Sequence, residues 1–540
     1  MMTRTRRMIP FRDMMMLEWT PFVAVGALAV AILREAYIRR KLSGAVVWPG
    51  PAPPEEEEEK NAPNKLIISE VVDELRRSFE AGVTQPYAAR LAALQGLLKF
   101  VESEAEAIVA AGAADLGKPR VEAMTYDVYT VRSEILHLIG RLNHLAGWHR
   151  VGPDATLVTF PSRGAYLVPE PLGVALVLGT WNFAFMLTLV PLAGAIAAGN
   201  AVVLKPCGRA SKSAALLASR LHHYVSPRVA RVVGAEFTSD RDAEIAFATD
   251  LLRLRFDKIF FTGSSRVGKI VAKAAAEHLT PCVLELGGKN PVYVHSDADL
   301  AVASKRLVWG RMLNAGQQCV APDYVLCHET IADDLAAACK DRIKEAFGDD
   351  PKSSPDFGRV LDVDRLDRLL KDANVVCGGN VDRDDRYVAP TVLKASLDSD
   401  FMKDEIFGPI LLLVPVKSPD AAIAVVNDRP KPLSLYVFSK SMDVARDFAR
   451  RTSSGGLTVN DTIFHATHPH LPFGGVGASG TGNYHGDATF EAFSHYKPVL
   501  VKDSVFTWAN FFVYPPWTPL KSKLVTATLA PGLFFKSSSS

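Results

Sequence analysis

From Pro171 onward the chain alternates short apolar runs with helical stretches, and this alternation narrows the possible folds more than any other feature. GVALVLGT, NAVVLKP, HHYVSPRVARVVGA, FDKIFFTGS and PCVLELGG each read as a strand or its edge. Near-continuous apolar strands separated by helices are what a parallel sheet covered on both faces requires. An α/β, doubly wound parallel sheet is therefore predicted, and a second strand and helix series after Cys319 predicts a further α/β region. The chain carries 61 basic and 59 acidic residues, a net charge of +2, which gives no electrostatic reason to expect nucleic acid as a partner. Its six cysteines show no CxxC spacing, so neither a disulfide framework nor a structural zinc site is expected.

The N-terminus differs in character. Basic residues Arg4, Arg6, Arg7 and Arg12 precede an apolar run from Trp19 to Leu33, and Arg34, Arg39, Arg40 and Lys41 follow it. Fifteen residues make about 22 Å of helix against a hydrocarbon core of about 30 Å, a marginal span. The basic stretch REAYIRRKLSG offers no clear small-residue cleavage site, so residues 1–48 read as an uncleaved membrane anchor or targeting segment. Residues 49–64, PGPAPPEEEEEKNAPN, are too polar to fold and read as a linker. TLVTFPSRGAYLVPEPLG predicts a hairpin over about 155–170, with its turn at Arg163-Gly164. The tail, 501–540, is rich in Phe, Trp and Pro and is broken by Pro531-Gly532, too short to span a bilayer.

Several residues stand where chemistry is done. Lys258 to Thr262 reads as a buried strand, Gly263-Ser264-Ser265 as a turn, and Val267, Ile270, Val271 and Ala274 recur at helical spacing. Such a helix start binds phosphate, although the spacing of Gly263 and Gly268 is not the dinucleotide fingerprint and also fits a plain strand-turn-helix junction. Lys205 ends an apolar strand, at the edge where ligands of open sheets gather. Glu285 interrupts the apolar strand of LELGGKNP, as a base of raised pKa or a salt-bridged structural carboxylate would. Asn182, in GTWNF, is an oxyanion donor or a turn former. Cys319, in NAGQQCVAP, is a nucleophile or a small core residue, with Gln317 and Gln318 as its neutral lining. His465, His468 and His470 match no common metal spacing, so no metal is expected.

Taken in order, PLGVALVLGTWNF, AGAIAAGNAVVLKP, FDKIFFTGSSRVGKIV, LTPCVLELGGKNP, NAGQQCVAPDYVLC, DEIFGPIL and LPFGGVGASGTGNYHG resemble the aldehyde dehydrogenase superfamily over about residues 66–500, in its class 3 branch. That branch includes fatty aldehyde dehydrogenases and fungal enzymes oxidising apocarotenoid aldehydes. The resemblance implies a Rossmann-type cofactor domain at 65–284, a catalytic domain at 285–457, and a small β bridging and oligomerisation element at 458–500. It implies Cys319 as nucleophile, Glu285 as general base, and Asn182 with the Cys319 N–H as oxyanion hole. NAD or NADP would lie along Thr180, Trp181, Lys205, Gly263, Ser264, Gly268, Leu286, Glu405 and Phe407, and Phe473 would wall the substrate pocket. The implied enzyme is a homodimer that oxidises a lipophilic aldehyde at the cytosolic face of the endoplasmic reticulum or mitochondrial outer membrane. A CoA-acylating relative shares the thioester, but a water-activating Glu285 argues for hydrolysis; a non-catalytic scaffold would need neither Cys319 nor Glu285. Two departures stand out. Gly208 replaces the glutamate expected after Lys205-Pro206 to hold the adenosine ribose; beside Arg209, that opens the site to NADP as well as NAD. Ala184 replaces a usual proline, removing a constraint on the backbone carrying Asn182.

Overall fold

The computed structural model describes residues 68–151, 162–238, 240–502 and 514–529. The expected anchor at 1–48 and linker at 49–64 lie outside the described residues. Among the described residues no helix is long and apolar enough to cross a membrane.

A three-stranded antiparallel sheet pairs β1 (His149–Val151), β2 (Ser162–Pro171) and β18 (Ser494–Lys502), with β2 in the middle. Arg163 and Gly164 lie inside β2, with Gly164 opposite Val501, so the predicted turn there is not formed. The reason is a long partner strand: β18 pairs along the whole of β2, and its ladder bonds outweigh the local turn preference of an Arg-Gly step.

A six-stranded sheet runs in the order β17 (Gly480–Thr481), β7 (Cys282–Leu286), β6 (Lys258–Gly263), β3 (Val174–Leu178), β4 (Ala201–Lys205), β5 (Ala230–Val232). All neighbours are parallel except β17 and β7. β3 and β4 are buried along their whole length, as a strand covered on both faces must be. The chain builds β3, β4 and β5 outward and then returns to add β6 on the other side of β3. That reversal opens a crevice beyond the carboxyl ends of β3 and β6, the usual place for a ligand in such sheets.

The second large sheet follows the order β10 (Val375–Cys377), β13 (Thr391–Lys394), β14 (Ile410–Val416), β9 (Tyr324–His328), β8 (Pro291–Val294), β15 (Ser434–Phe438), β16 (Gly456–Val459), parallel except for β10. A two-stranded ribbon pairs β11 (Val381–Asp382) with β12 (Tyr387–Val388).

Five helices matter below: α1 (Val131–Leu145), α2 (Met186–Ala198), α3 (Arg241–Leu252), α4 (Ser265–Ala276) and α5 (Asp487–Ala492). α2 is apolar on every side and almost wholly buried, and it stops at Gly199, whose φ of +96° forms the left-handed cap. In α4, Gly268, Val271 and Ala275 face inward, whereas Ile270 is exposed, contrary to its place in the predicted apolar stripe.

Two glycines with opposite surroundings test this packing. At Gly194 in α2, an added Cβ would lie 2.1 Å from Thr489 Cγ2 and 2.8 Å from the Thr489 carbonyl oxygen of α5, whereas at Gly140 in α1 nothing lies within 4 Å. Alanine gains about 0.8–1.0 kcal/mol over glycine in a helix, and forcing atoms into a packed contact costs about 1–3 kcal/mol. Gly140→Ala is expected to raise the melting temperature slightly and Gly194→Ala to lower it by a few degrees, measured by thermal unfolding; equal shifts would contradict the close α2–α5 contact.

Candidate active site

The loop after β3 holds Thr180, Trp181 and Asn182; β6 ends on Gly263, and Ser264 alone joins it to α4, a tighter junction than the predicted turn Gly263-Ser264-Ser265. With Glu285, Leu286, Cys319, Glu405, Phe407, Arg209 and Asp362 they line one cleft of about 260 Å³. The cleft therefore sits at the crevice dictated by the strand order. At its phosphate-ready corner, the Ser264 hydroxyl caps α4 through Val267 N at 3.4 Å, while the first-turn amides of Ser265 and Arg266 have no partner within the helix. Gly268 lies beneath, packed on Leu286, where it permits close contact between α4 and β7. Trp181 meets Phe407 edge to face at 5.5 Å.

Glu285 projects from β7 between Thr262 of β6 and Gly480 of β17. It is buried, and neither carboxylate oxygen has a hydrogen-bond partner among the described residues. Desolvation pushes its pKa well above the usual carboxylate range, and no salt bridge offsets it. The structural alternative, a salt-bridged glutamate, thus finds no partner.

Cys319 stands where two cavities meet. One is the cleft above; the other is narrow and apolar, lined by Tyr126, Phe183, Met186, Ile463, Phe473 and Tyr484 among others. The pKa of the sulfur is raised in this setting. Burial first, then the charges of Glu405 and Glu285, push it up, while the backbone amides of Cys319 and Val320 act in the lowering direction without prevailing. Gln317 does not line the thiol: its side chain bonds the Asn314 and Arg359 carbonyls (3.1 and 2.9 Å) and the Leu361 amide (2.9 Å). Gln318 does border the apolar cavity, with its amide tied to the Gly310 carbonyl at 2.8 Å.

Asn182 Nδ2 donates to the Gln317 carbonyl at 3.0 Å, leaving its second N–H for another acceptor. Its own carbonyl accepts from Lys118 Nζ and Asn314 Nδ2, both at 3.0 Å. Lys118 in turn pairs with buried Asp127 at 2.7 Å. This clamp holds the segment that Ala184 was expected to loosen. Asp127 lies in a π-helical stretch, Ala123–Thr130, and also accepts from Met186 N at 3.2 Å.

Sequence reading missed three contributors. Asn290 Nδ2 bonds the carbonyls of Cys319 (2.6 Å) and Ala321 (3.1 Å); its motif was visible but its partners were not. Asp323 joins Lys289 (2.9 Å) and Arg311 (3.1 Å) and accepts from Ile406 N, fixing the Glu405–Phe407 loop. Burial and Asp323 raise the Glu405 carboxyl to about 8. Tyr126, Phe183, Met186, Ile463 and Tyr484 wall the apolar cavity but carry no local signal in sequence. Of the histidine cluster, His465 is half-buried, bonded to Ser434 (3.0 Å) and Thr458 (2.8 Å), and desolvation lowers it to about 4.

Lys205 ends β4 one hydrogen bond from this cleft, its carbonyl accepting from Gly179 N at 2.9 Å. The carboxylate thought missing at Gly208 is present by another route: Glu244 of α3 bonds Lys205 Nζ at 2.6 Å and Gly208 N at 2.7 Å. A cleft with an anion-ready helix start, three carboxylates along its length and an aromatic pair at one end fits a dinucleotide.

Residues 61–499 match the model of the aldehyde dehydrogenase family. Aldehyde dehydrogenase family 3 member A2 of Mus musculus is 44% identical over 446 residues, covering 82% of this chain and 90% of its own. The dimeric NADP-preferring aldehyde dehydrogenase of Rattus norvegicus is 42% identical over 453 residues, covering 83% and 98%. A solved structure described as the substrate-bound state of Staphylococcus aureus AldH matches with a TM-score of 0.81 at 38% identity, covering 86% of this chain and 99% of that one. Both large sheets and every residue of the cleft fall within the matched span, and the chain belongs to the aldehyde dehydrogenase family, oxidoreductases that act on aldehydes with NAD or NADP.

Proposed function

We propose that this enzyme converts a lipophilic aldehyde to its carboxylic acid, with Cys319 as nucleophile, Glu285 as general base, and Asn182 with the Cys319 N–H as oxyanion hole. The supporting observation is the place of Cys319 on the wall shared by a polar cleft and an apolar cavity. In the free enzyme the sulfur is held as a thiol, so attack needs its proton removed, and Glu285 is a buried carboxylate with no other partner to satisfy. As the S–C bond forms, the carbonyl electrons move onto oxygen, where the second N–H of Asn182 and the Cys319 amide receive them. Bound NAD or NADP, along the cleft from Glu405 to the α4 start, supplies the hydride acceptor. Once the thiol proton has passed from Glu285 to solvent, Glu285 takes a proton from water, the new C–O bond forms, and the C–S bond breaks as the sulfur takes that proton back and the acid is freed.

Cys319→Ala is expected to lower oxidation by at least about a thousandfold. Glu285→Gln, which removes the base for both proton transfers, is expected to slow the burst of reduced cofactor and then to stall at the thioester. Because the Glu285 carboxyl is held well above the usual carboxylate range, its basic form grows as pH rises past that range, so wild-type deacylation should speed up with rising pH while the Gln variant stays flat. Stopped-flow absorbance checks both; wild-type turnover by Cys319→Ala would sink the assignment.

The lining of the second cavity supports a lipophilic substrate, fatty or apocarotenoid. The cavity, about 40 Å³, takes the first carbons of a chain, and each methylene buried in it contributes about 0.8 kcal/mol, close to fourfold in kcat/KM. Steady-state rates should therefore climb from propanal to hexadecanal, with carboxylate as product even when CoA is supplied; equal rates or acyl-CoA formation would refute the reading.

The basic-flanked apolar run at Trp19 to Leu33 supports membrane attachment through residues 1–48, and the dimeric rat relative supports a homodimer. Removal of Met1 to Pro63 is expected to shift the active enzyme from the membrane pellet to the supernatant on centrifugation. Continued pelleting of the shortened chain would count against an N-terminal anchor.

A further inference from the structure

At the carboxyl ends of β4 and β5, a glycine and a distant glutamate share one position. A Cβ built on Gly208 would lie 2.6 Å from Glu244 Oε2 and 2.7 Å from Glu244 Cδ, so a side chain at 208 and the present seat of Glu244 exclude each other. Glu244 is brought there by α3, whose first turn is fixed by Asp240 accepting from Asp242 N and Ala243 N, both at 3.0 Å. Farther along α3, the Phe247 ring presses on Gly234, where a Cβ would meet it at 2.6 Å. Glu244 Oε1 takes both the Lys205 and the Gly208 donors, and Oε2 receives no hydrogen bond among the described residues. The carboxylate therefore has one bound oxygen and one open oxygen at the sheet edge where a nucleotide ribose rests in doubly wound folds.

The neighbouring cation is committed elsewhere. Arg209 bonds Asp362 at 2.9 Å and lies 5.0 Å over the Trp181 ring, at the Trp181–Phe407 end of the cleft. Lys205, the other cation beside Gly208, is already neutralised by Glu244.

We propose that Glu244 supplies the carboxylate that Gly208 lacks, accepts the hydroxyls of the adenosine ribose, and makes this enzyme prefer NAD to NADP. The inference rests on the dinucleotide reading of the cleft. A ribose diol donates to a carboxylate, whereas a 2′-phosphate brings negative charge against it while Lys205 is held by Glu244 and Arg209 by Asp362.

Calorimetric titration of the full chain with NAD and with NADP, without aldehyde, tests this for the wild type, Glu244→Gln and Glu244→Asp. The wild type is expected to bind NAD at least about tenfold more tightly than NADP. Glu244→Gln should cut that ratio about tenfold or more, chiefly by tightening NADP as Lys205 is released, and Glu244→Asp should keep the preference for NAD. Wild-type protein that binds NADP as tightly as NAD overturns the proposal on its own, whether or not the Gln variant folds. A Gln variant that melts like the wild type and weakens both dinucleotides equally overturns it too, since Glu244 would then only brace the site. If neither dinucleotide binds the wild type, the cofactor reading of the cleft falls as well, which separates the two failures.

Discussion

The loop leading to Cys319 is held in a conformation its residues do not favour. Asn314 and Ala315 have φ values of +52° and +50°, in the left-handed region, at about 1–3 kcal/mol each for side chains of this kind. Contacts from outside the loop hold it there. Glu122 accepts the Asn314 amide at 2.9 Å, the Asn182 carbonyl accepts the Asn314 side chain, and Asn290 grips the carbonyls of Cys319 and Ala321. Hydrogen bonds of about 1 kcal/mol net, more to the charged form of Glu122, are together large enough to offset that strain. Asn182 follows β3 of one large sheet and Asn290 leads into β8 of the other, so the sulfur is placed by both sheets at once.

The same enclosure sets the electrostatics. Cys319, Glu285 and Glu405 are all shifted toward their neutral forms, and desolvation is the first cause in each. Three groups capable of negative charge can then share a small volume without mutual repulsion. A permanently ionised sulfur would gain little here, because the carboxylates beside it would oppose its charge. The fixed charges are kept a step away: Asp323 is matched by Lys289 and Arg311, and Asp127 by Lys118. In the proposed mechanism, charge at the reacting atoms is thus created during the reaction, facing donors already oriented by the fold.

What the sequence made legible was whatever depends on local pattern. The five strands from Val174 to Leu286 and the strand-to-helix junction at Gly263 appear where apolar runs and small residues placed them, because a strand buried on both faces leaves an unbroken apolar signature. Cys319, Glu285 and Asn182 were nameable through their motifs, but the evidence that Glu285 lacks a partner is a property of its surroundings. Arg163-Gly164 shows the converse: a local turn signal lost to a strand more than three hundred residues away. The walls of the apolar cavity come from Tyr126, Phe183, Ile463 and Tyr484, spread along the chain with nothing local in common.

Gly208 and Ala184 carry this further, because each was a departure from an expected motif and each is answered by a contact from elsewhere. Asn182 is steadied by Lys118 and Asn314 rather than by a following proline, and the carboxylate absent at 208 arrives on α3. On the proposed reading both sites need a group at a point in space, and the fold can deliver it from any element that reaches that point. A missing motif residue therefore predicts lost function only when no neighbouring element can occupy the vacated volume. Glycine at 208 is itself the condition for replacement here, since any larger residue would bar Glu244 from its seat.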